Sequence, residues 1–507
     1  MSPSTLRTRP VDGEEPVVVP VHGPDEVRAA VAASRAAQAG WARRPVRERL
    51  RIMARLAAVL ADRKHEIADR VRAETGKPRT EALAEVAVSA DLIRFYLGAA
   101  PGVLRRRRVG SGWLLHRSAR VEQEPYGVIG AITPWNYPFI LVMDCVTPAL
   151  VAGNGVVVKP SEFTPSTALL VPELGRAAGL PDGLIQVVTG FGETGAALIG
   201  AGVDKVSFTG STATGRKVME AAAKGPTPVT MELGGKDPAI VLADADLARA
   251  ARGVAYGSFF NAGQTCISVE RVFVERSVHD EFAERLAEEA VRLRAGSGPD
   301  ADVGPLVNER QMAVVERQVA DAVARGAVAR SGGAHGDGTR VFLPTVLTGV
   351  TDAMAVQTEE TFGPVVTVTP VADEAEAVGL ANSTGYGLFA SVWTGDRARG
   401  LRVARQLRAG GVSLNDVLSH YAVPGLPMGG RGESGFGSRR GVEGLREMVR
   451  PRTLLVDRFG FGREVWWFPY APAGERLVEA VTEWRARRGL SGLWRAARVL
   501  LGRGGKA

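Results

Sequence analysis

The sequence predicts an α/β protein: a doubly wound parallel-sheet domain, a second α/β domain and a small β element. Three observations carry this. From Gly127 onward, short β-rich runs alternate with stretches of helical period, the pattern of a parallel sheet covered on both faces. At 507 residues the chain is too long for one hydrophobic core, so two to four domains or lobes are expected. Two further β-rich pieces, 114–127 and 450–457, stand apart from both blocks.

The elements follow in order. The first hundred residues read as helix, and residues 47–76 carry apolar positions at three- and four-residue steps up to Gly76. The basic cluster Arg105 to Arg108 reads as a solvated loop. Then come GVIGAITP, a helix through PFILVMDCVTPALVAG, and GVVVKP. A helix starts at Pro165, with Thr164 as its N-cap. IQVVTG, a short helix, KVSFTG and a helix opening at Ser211 complete the first block. The second block runs from about Gly235 to about Gly437, with strands expected in 269–275, 341–347, 364–371 and 391–395. The two remote pieces could pair with each other and offer an edge to another subunit.

Composition narrows the function classes. Two cysteines, Cys145 and Cys266, cannot build a disulfide framework and point to a reducing compartment. No secretory signal is visible at the N-terminus, and no run approaches the apolar length that spans a bilayer. The formal charge of +8 is concentrated in the tail, where Trp484–Ala507 holds seven basic residues and no acidic one. The body is close to neutral, which argues against a nucleic-acid partner.

Four stretches could carry chemistry. In KVSFTGSTATG (205–215) a strand enters a turn at Gly210, and Ser211 opens a helix whose free N–H groups suit pyrophosphate. An ordinary capped turn explains it equally well. In VVVKPSE a strand delivers Lys159 and Glu162 to the sheet edge, where they suit ribose hydroxyls, or form a plain surface pair. Glu232, at a strand end before two glycines, is a candidate base or a surface carboxylate. Cys266 follows FFNAGQT, whose polar and small residues fit a nucleophile better than the core thiol expected of a free cysteine. Cys145, inside an apolar helix, fits the core reading. The six histidines form no metal-like cluster with either cysteine, so no metal is expected.

Together these pieces resemble the aldehyde dehydrogenase superfamily. The matching motifs are PWNYP (134–138), KPSE (159–162), FTGSTATG (208–215), MELGGK (231–236), FFNAGQTC (259–266), EETFGPV (359–365) and PMGGRGESGFG (427–437). They occur in family order over roughly residues 20–457.

The resemblance implies NAD as cofactor, with NADP possible, and an aldehyde as substrate. It implies that Cys266 attacks the aldehyde carbon, that Asn136 and the Cys266 N–H stabilise the oxyanion, and that Glu232 activates the water that releases the acid. Lys159 and Glu162 would hold the adenosine ribose. Phe208, Gly210 and Ser211 would line the pyrophosphate and adenine region, and Leu233 would also contact the cofactor. Glu360 would bind the nicotinamide ribose, Phe362 would pack by its ring, and Trp135 would line the channel. Residues 1–113 and 127–234 would form the cofactor domain, 235–437 the catalytic domain, and 114–126 with 438–457 an oligomerisation element of a homodimer or homotetramer. Relatives that pass the acyl group to coenzyme A lack the glutamate, so Glu232 points to a free acid. A coenzyme A-acylating enzyme and a non-catalytic scaffold are the rival readings.

Several runs, among them TGFGETGAALI, look most like a branch found in plants and fungi whose members carry an N-terminal membrane segment. Residues 458–507 extend past the usual family end. Leu490, Leu493, Trp494, Ala497, Leu500 and Leu501 recur at three- and four-residue steps among arginines, a basic amphipathic pattern. Such a helix docks on protein or gives peripheral membrane contact; the expected location is the cytoplasm.

Overall fold

Strands Val128–Ile132, Gly155–Lys159 and Lys205–Thr209 are buried along their whole length, as a parallel sheet with helices on both faces requires. They form the centre of the first sheet in a computed structural model that describes residues 5–8, 16–338, 340–460, 462–487 and 494. The sheet's order is Gly435–Phe436, Val229–Glu232, Lys205–Thr209, Val128–Ile132, Gly155–Lys159 and Ile185–Val187. The chain moves outward one way from Val128–Ile132, then returns to its other side at Lys205–Thr209. That reversal opens a crevice beyond the strands' carboxyl ends. The register aligns those ends, since Ile132 pairs with both Lys159 and Phe208, and Thr209 pairs with Glu232.

The helices between these strands follow from sequence. Ile140–Ala152 is apolar on every face and buried at every residue, Cys145 included. Pro165 does open its helix, but Thr164 makes no side-chain cap. The cap comes from Glu74, whose buried carboxylate accepts from the N–H groups of Ser166 (2.6 Å) and Thr167 (2.9 Å). Ser211 caps Thr212–Ala223 by accepting from the Thr214 N–H. The 47–76 run becomes two helices, Val46–Asp62 and Lys64–Thr75, and Gly76 ends the second in a left-handed conformation.

The second sheet has seven strands in the order Val328–Ser331, Thr345–Thr348, Val365–Val371, Val269–Glu275, Asp237–Val241, Phe389–Trp393 and Gly411–Leu414. The expected strand at 341–347 forms only from Thr345. Gly435–Phe436 leaves this block and hydrogen-bonds to Val229–Glu232 of the first sheet.

Helix Arg79–Val103 is long and apolar enough to cross a membrane by length and composition. The expectation that no run approaches that length is therefore corrected. In the fold it packs on Val46–Asp62, Lys64–Thr75 and Ile140–Ala152 and buries Glu81, Glu85 and Tyr96.

By contacts the chain divides into two units, Met1–Leu104 with Glu124–Arg450, and Arg105–Gln123 with Pro451–Ala507. The second unit centres on a sheet ordered Val449–Asp457, Arg117–Pro125, Arg107–Val109, so the two remote β-rich pieces do pair. Arg107 and Arg108 lie in its short edge strand, not in a loop, though both stay exposed. Helix Pro472–Arg487 buries Leu477 and Ala480 against Trp113, Val465 and Trp466. Of the amphipathic pattern, Trp494 is exposed; Leu490, Leu493, Ala497, Leu500 and Leu501 lie outside the described residues.

Candidate active site

Cys266 sits between helix Leu247–Phe259 and strand Val269–Glu275, after a turn in which Asn261, Ala262 and Gly263 are all left-handed (φ 55°, 55° and 70°). Two of the three are not glycine, and such residues cost about 1 kcal/mol each. Hydrogen bonds hold the turn. The Asn261 N–H donates to Glu81 Oε1 (3.0 Å), and Asn261 Nδ2 donates to the Asn136 and Gln264 carbonyls (3.0 and 3.1 Å). Gln264 Nε2 returns to the Asn261 carbonyl (3.0 Å), and its Oε1 accepts from the Val307 N–H (2.9 Å). Gly263 has no substitute here: a Cβ would stand 2.0 Å from the Gly363 carbonyl oxygen. The amide-rich sequence before the cysteine is thus the scaffold that fixes its position.

Asn136 is tied to the same turn, donating from Nδ2 to the Gln264 carbonyl at 2.9 Å. An amide nitrogen carries two hydrogens, and this bond uses one. Asn136 Oδ1 is buried without a partner.

A cavity of about 790 Å³ lies beyond the first sheet's carboxyl edge. Its lining includes Trp135, Asn136, Lys159, Glu162, Phe208, Gly210, Ser211, Leu233, Cys266, Glu360 and Phe362. Of the catalytic and cofactor-binding candidates named from the sequence, Glu232 alone does not line it. It ends its strand one residue before Leu233, buried, with both carboxylate oxygens lacking a partner. Burial lifts its pKa to about 7; Arg439 pulls it down and Asp144 pushes it up. The Cys266 thiol is pushed up, first by burial and then by the carboxylates of Glu232, Asp237 and Glu360. The sulfur and the Glu232 carboxylate therefore act on each other, although only the first faces the cavity.

Lys159 Nζ, also in the lining, stands 3.8 Å from Glu162 Oε2, and burial lowers the lysine's pKa. Near the cysteine, Trp135 and Phe362 meet edge to face, 5.4 Å apart at 88°. Glu360 Oε1 accepts from the Gly235 N–H at 3.0 Å, and burial raises this carboxyl to about 8. Gly234 makes room for it, since a Cβ there would meet Glu360 Oε2 at 2.3 Å.

Sequence reasoning missed the residues that hold this segment. Glu270 accepts from the N–H groups of Thr361 and Phe362 (both 2.9 Å), and the fully buried Lys236 pairs with Glu270 and donates to Thr361 Oγ1 (3.0 Å). A lysine between two apolar strands and a glutamate inside a third were the available signal, since buried charges are paired. Helix Gly192–Gly200 was also missed as a wall; Gly192, Glu193 and Gly195 line the cavity together with Ser211 and Thr214.

The cavity fits a dinucleotide. Its volume is in the range of a cofactor site, and two helix N-termini reach it. Thr133 Oγ1 and Thr209 Oγ1, both on residues of its lining, are buried without partners.

Comparison with known proteins agrees. The family model of the aldehyde dehydrogenase family matches residues 3–454. The chain is 43% identical over 468 residues to a 4,4'-diapolycopene aldehyde oxidase of Methylomonas sp, covering 92% of this chain and 88% of that one. It is 42% identical over 463 residues to a Mycolicibacterium smegmatis protein provisionally named a succinate-semialdehyde dehydrogenase of the NADP+ type, with 89% of each covered. An NAD-dependent aldehyde dehydrogenase from Sinorhizobium meliloti superposes with a TM-score of 0.87 at 38% identity, over 92% of this chain and 93% of that one. The Staphylococcus aureus betaine aldehyde dehydrogenase, solved with NAD+, gives 0.86 at 32% identity, over 92% and 93%. The chain belongs to the aldehyde dehydrogenase family and is an oxidoreductase acting on aldehydes.

Proposed function

We propose that this protein oxidises an aldehyde to the free carboxylic acid with NAD+, NADP+ being the second candidate, through an acyl intermediate on Cys266. The observation that carries it is Cys266 in the lining of a dinucleotide-sized cavity, with the buried, unpartnered carboxylate of Glu232 near enough to raise its thiol.

The Cys266 thiol gives up its proton to solvent water in the cavity, and the sulfur adds to the aldehyde carbon as the carbonyl π bond breaks onto oxygen. The second hydrogen of Asn136 Nδ2 and the Cys266 N–H stabilise that oxyanion. A nicotinamide, when bound, would accept the hydride that leaves the adduct carbon, and the acyl group would stay on sulfur as a thioester. Glu232 then takes a proton from water as the water oxygen adds to the thioester carbon; the carbon–sulfur bond breaks and the acid leaves. A carboxyl titrating at about 7 is suited to that step near neutral pH.

Lys159 and Glu162 would hold the adenosine ribose, Phe208, Gly210 and Ser211 the adenine and pyrophosphate, and Leu233 would also contact the cofactor. Glu360 and Phe362 would hold the nicotinamide end, with Trp135 along the channel. Glu162 favours NAD+, because its charge would repel a 2′-phosphate; the S. meliloti and M. smegmatis proteins are named for NAD and NADP+ respectively.

Cys266→Ala should abolish NADH formation, and Glu232→Gln should stop after about one equivalent per site. Full turnover by Cys266→Ala would refute the assignment. A requirement for coenzyme A would move the reading to acyl transfer.

The first sheet's domain would carry the cofactor and the second the nucleophile. Strand Val449–Asp457 lies at a sheet edge with eight residues exposed, which supports a homodimer or homotetramer; light scattering would show a monomer if this is wrong. We place the protein in the cytoplasm, on its free cysteines, with peripheral membrane contact through a tail that exposes Trp467, Phe468, Tyr470 and Trp494. Equal liposome partitioning of the full chain and a chain ending at Asp457 would dispose of that contact.

A further inference from the structure

The loop that carries Asn136 and the turn that precedes Cys266 are held by one helix. Arg79–Val103 buries Glu81 and Glu85, which stand four residues apart and so share a face. Glu81 Oε1 accepts from the Asn261 N–H at 3.0 Å, inside the turn. Glu85 Oε2 accepts from the N–H groups of Phe139 (3.0 Å) and Ile140 (3.1 Å), where the loop enters helix Ile140–Ala152. Glu85 Oε1 accepts from Lys77 Nζ at 2.7 Å, and that ammonium also donates to the Asn136 carbonyl at 2.8 Å. The Lys77–Glu85 pair therefore grips residues 136–140 at both ends. The Asn136 carbonyl takes a further bond from Asn261 Nδ2 at 3.0 Å, so loop, turn and Lys77 meet on one oxygen.

Lys77, Glu81 and Glu85 are 2%, 6% and 2% exposed, and none of them lines the cofactor cavity. A buried ion pair is often no more stabilising than apolar residues of the same volume. Stability alone is therefore a poor account of three buried charges. What they fix is a distance. An oxyanion donor works within about 3 Å of the oxygen it will meet, and a misplacement of about 1 Å costs roughly a hundredfold in rate.

We propose that Lys77, Glu81 and Glu85 are positioning residues for aldehyde oxidation, through which helix Arg79–Val103 keeps Asn136 and Cys266 at the separation that lets both engage one carbonyl group. This rests on the dehydrogenase reading above. The three side chains act through the backbone of residues 136–140 and the Asn261 N–H, not by contact with the reacting atoms.

The test is the rate of NADH formation in the first turnover, by stopped flow at saturating NAD+, with hexanal and with benzaldehyde. Glu81→Leu strands no charge but removes the acceptor of the Asn261 N–H, and should slow that turnover about a hundredfold. Glu81→Gln keeps a carbonyl oxygen in place and should stay within about threefold of wild type. Lys77→Met/Glu85→Leu removes both charges of the pair together and should slow the turnover about as much as Glu81→Leu. The Kd for NAD+ by fluorescence titration should stay within about twofold throughout, because the cofactor cavity is untouched.

The deciding arm repeats both slow variants in an Asn136→Ala background. Alanine keeps the backbone carbonyl that Lys77 holds but leaves no side-chain donor to place, so the added loss should shrink to less than about tenfold. A purely structural role would give the same loss in both backgrounds. Equal losses, or a first turnover unmoved by Glu81→Leu and by Lys77→Met/Glu85→Leu, would overturn the proposal and leave the dehydrogenase reading standing. Wild-type protein that forms no NADH from either aldehyde would overturn both.

Discussion

Glu232→Gln should alter stability as well as turnover, and the stability change should depend on pH. Burial raises the Glu232 carboxyl from 4.5 to about 7. The fold therefore holds that proton more tightly than the unfolded chain does. The stability tied to this group is fully present below pH 4.5 and is lost as pH rises to about 7 and beyond. Each tenfold difference in proton affinity is about 1.4 kcal/mol, so ionising Glu232 inside the fold costs about 3 kcal/mol at pH 8. Gln cannot ionise and escapes that cost. The stability of Glu232→Gln relative to wild type should thus rise by about 3 kcal/mol between pH 5 and pH 8. For 507 residues at roughly 2 cal/mol/K each, the unfolding entropy is about 1 kcal/mol/K, so the Tm difference should widen by roughly 3 °C. Differential scanning calorimetry of the cofactor-free proteins at the two pH values measures it. A Tm difference that stays flat from pH 5 to pH 8 would refute the argument, because it would mean that Glu232 titrates like a solvated carboxyl.

Three further outcomes follow. Glu162→Gln removes the charge beside Lys159 and should raise the kcat/KM ratio of NADP+ over NAD+ about tenfold; steady-state kinetics with both nucleotides checks it. Lys236→Met strands the buried Glu270 carboxylate and should cost about 3–5 kcal/mol, while the loosened Glu360–Phe362 segment raises KM for the cofactor; urea unfolding and kinetics read the two effects. Gly263→Ala puts a Cβ on the Gly363 carbonyl at φ 70°, and should leave the protein insoluble or without NADH formation at normal expression.

Local patterns in the sequence show most of the first sheet. Strands such as Gly155–Lys159 are apolar throughout, and strand ends followed by Gly, Ser or Pro mark the edge where ligands sit. The same patterns bring Lys159, Ser211 and Leu233 to one cavity. Long-range pairing was not legible. Nothing in ESGFG announces that Gly435 returns to bond Glu232 across some two hundred residues. Nor does Thr164 before Pro165 reveal that Glu74, from another helix, supplies the cap. The burial of Glu232 behind Leu233 was equally hidden, because a carboxylate at a strand end reads as facing the cleft until the neighbouring strand is known.

That burial also bears on when the nucleophile becomes reactive. In the free site, burial and three carboxylates raise the thiol, and Glu232 is the first of the three. Glu232 itself titrates near 7, well below the thiol, so a proton passing from sulfur to this carboxylate runs uphill. The resting pair is thiol with carboxylate, not thiolate with carboxylic acid. Two opposite consequences of Glu232→Gln can then be told apart. If Glu232 made the resting thiolate by taking the proton, removing it would slow alkylation of Cys266 by iodoacetamide. If its charge instead holds the thiol up, removing it lowers the thiol's pKa and alkylation at pH 8.5 becomes faster. The geometry predicts the second result, by severalfold, followed on the Cys266 peptide by mass spectrometry so that the buried Cys145 does not contribute. Slower alkylation in Glu232→Gln would mean that the carboxylate reaches the sulfur as a base before any aldehyde arrives, and the ordering argued from burial would fall.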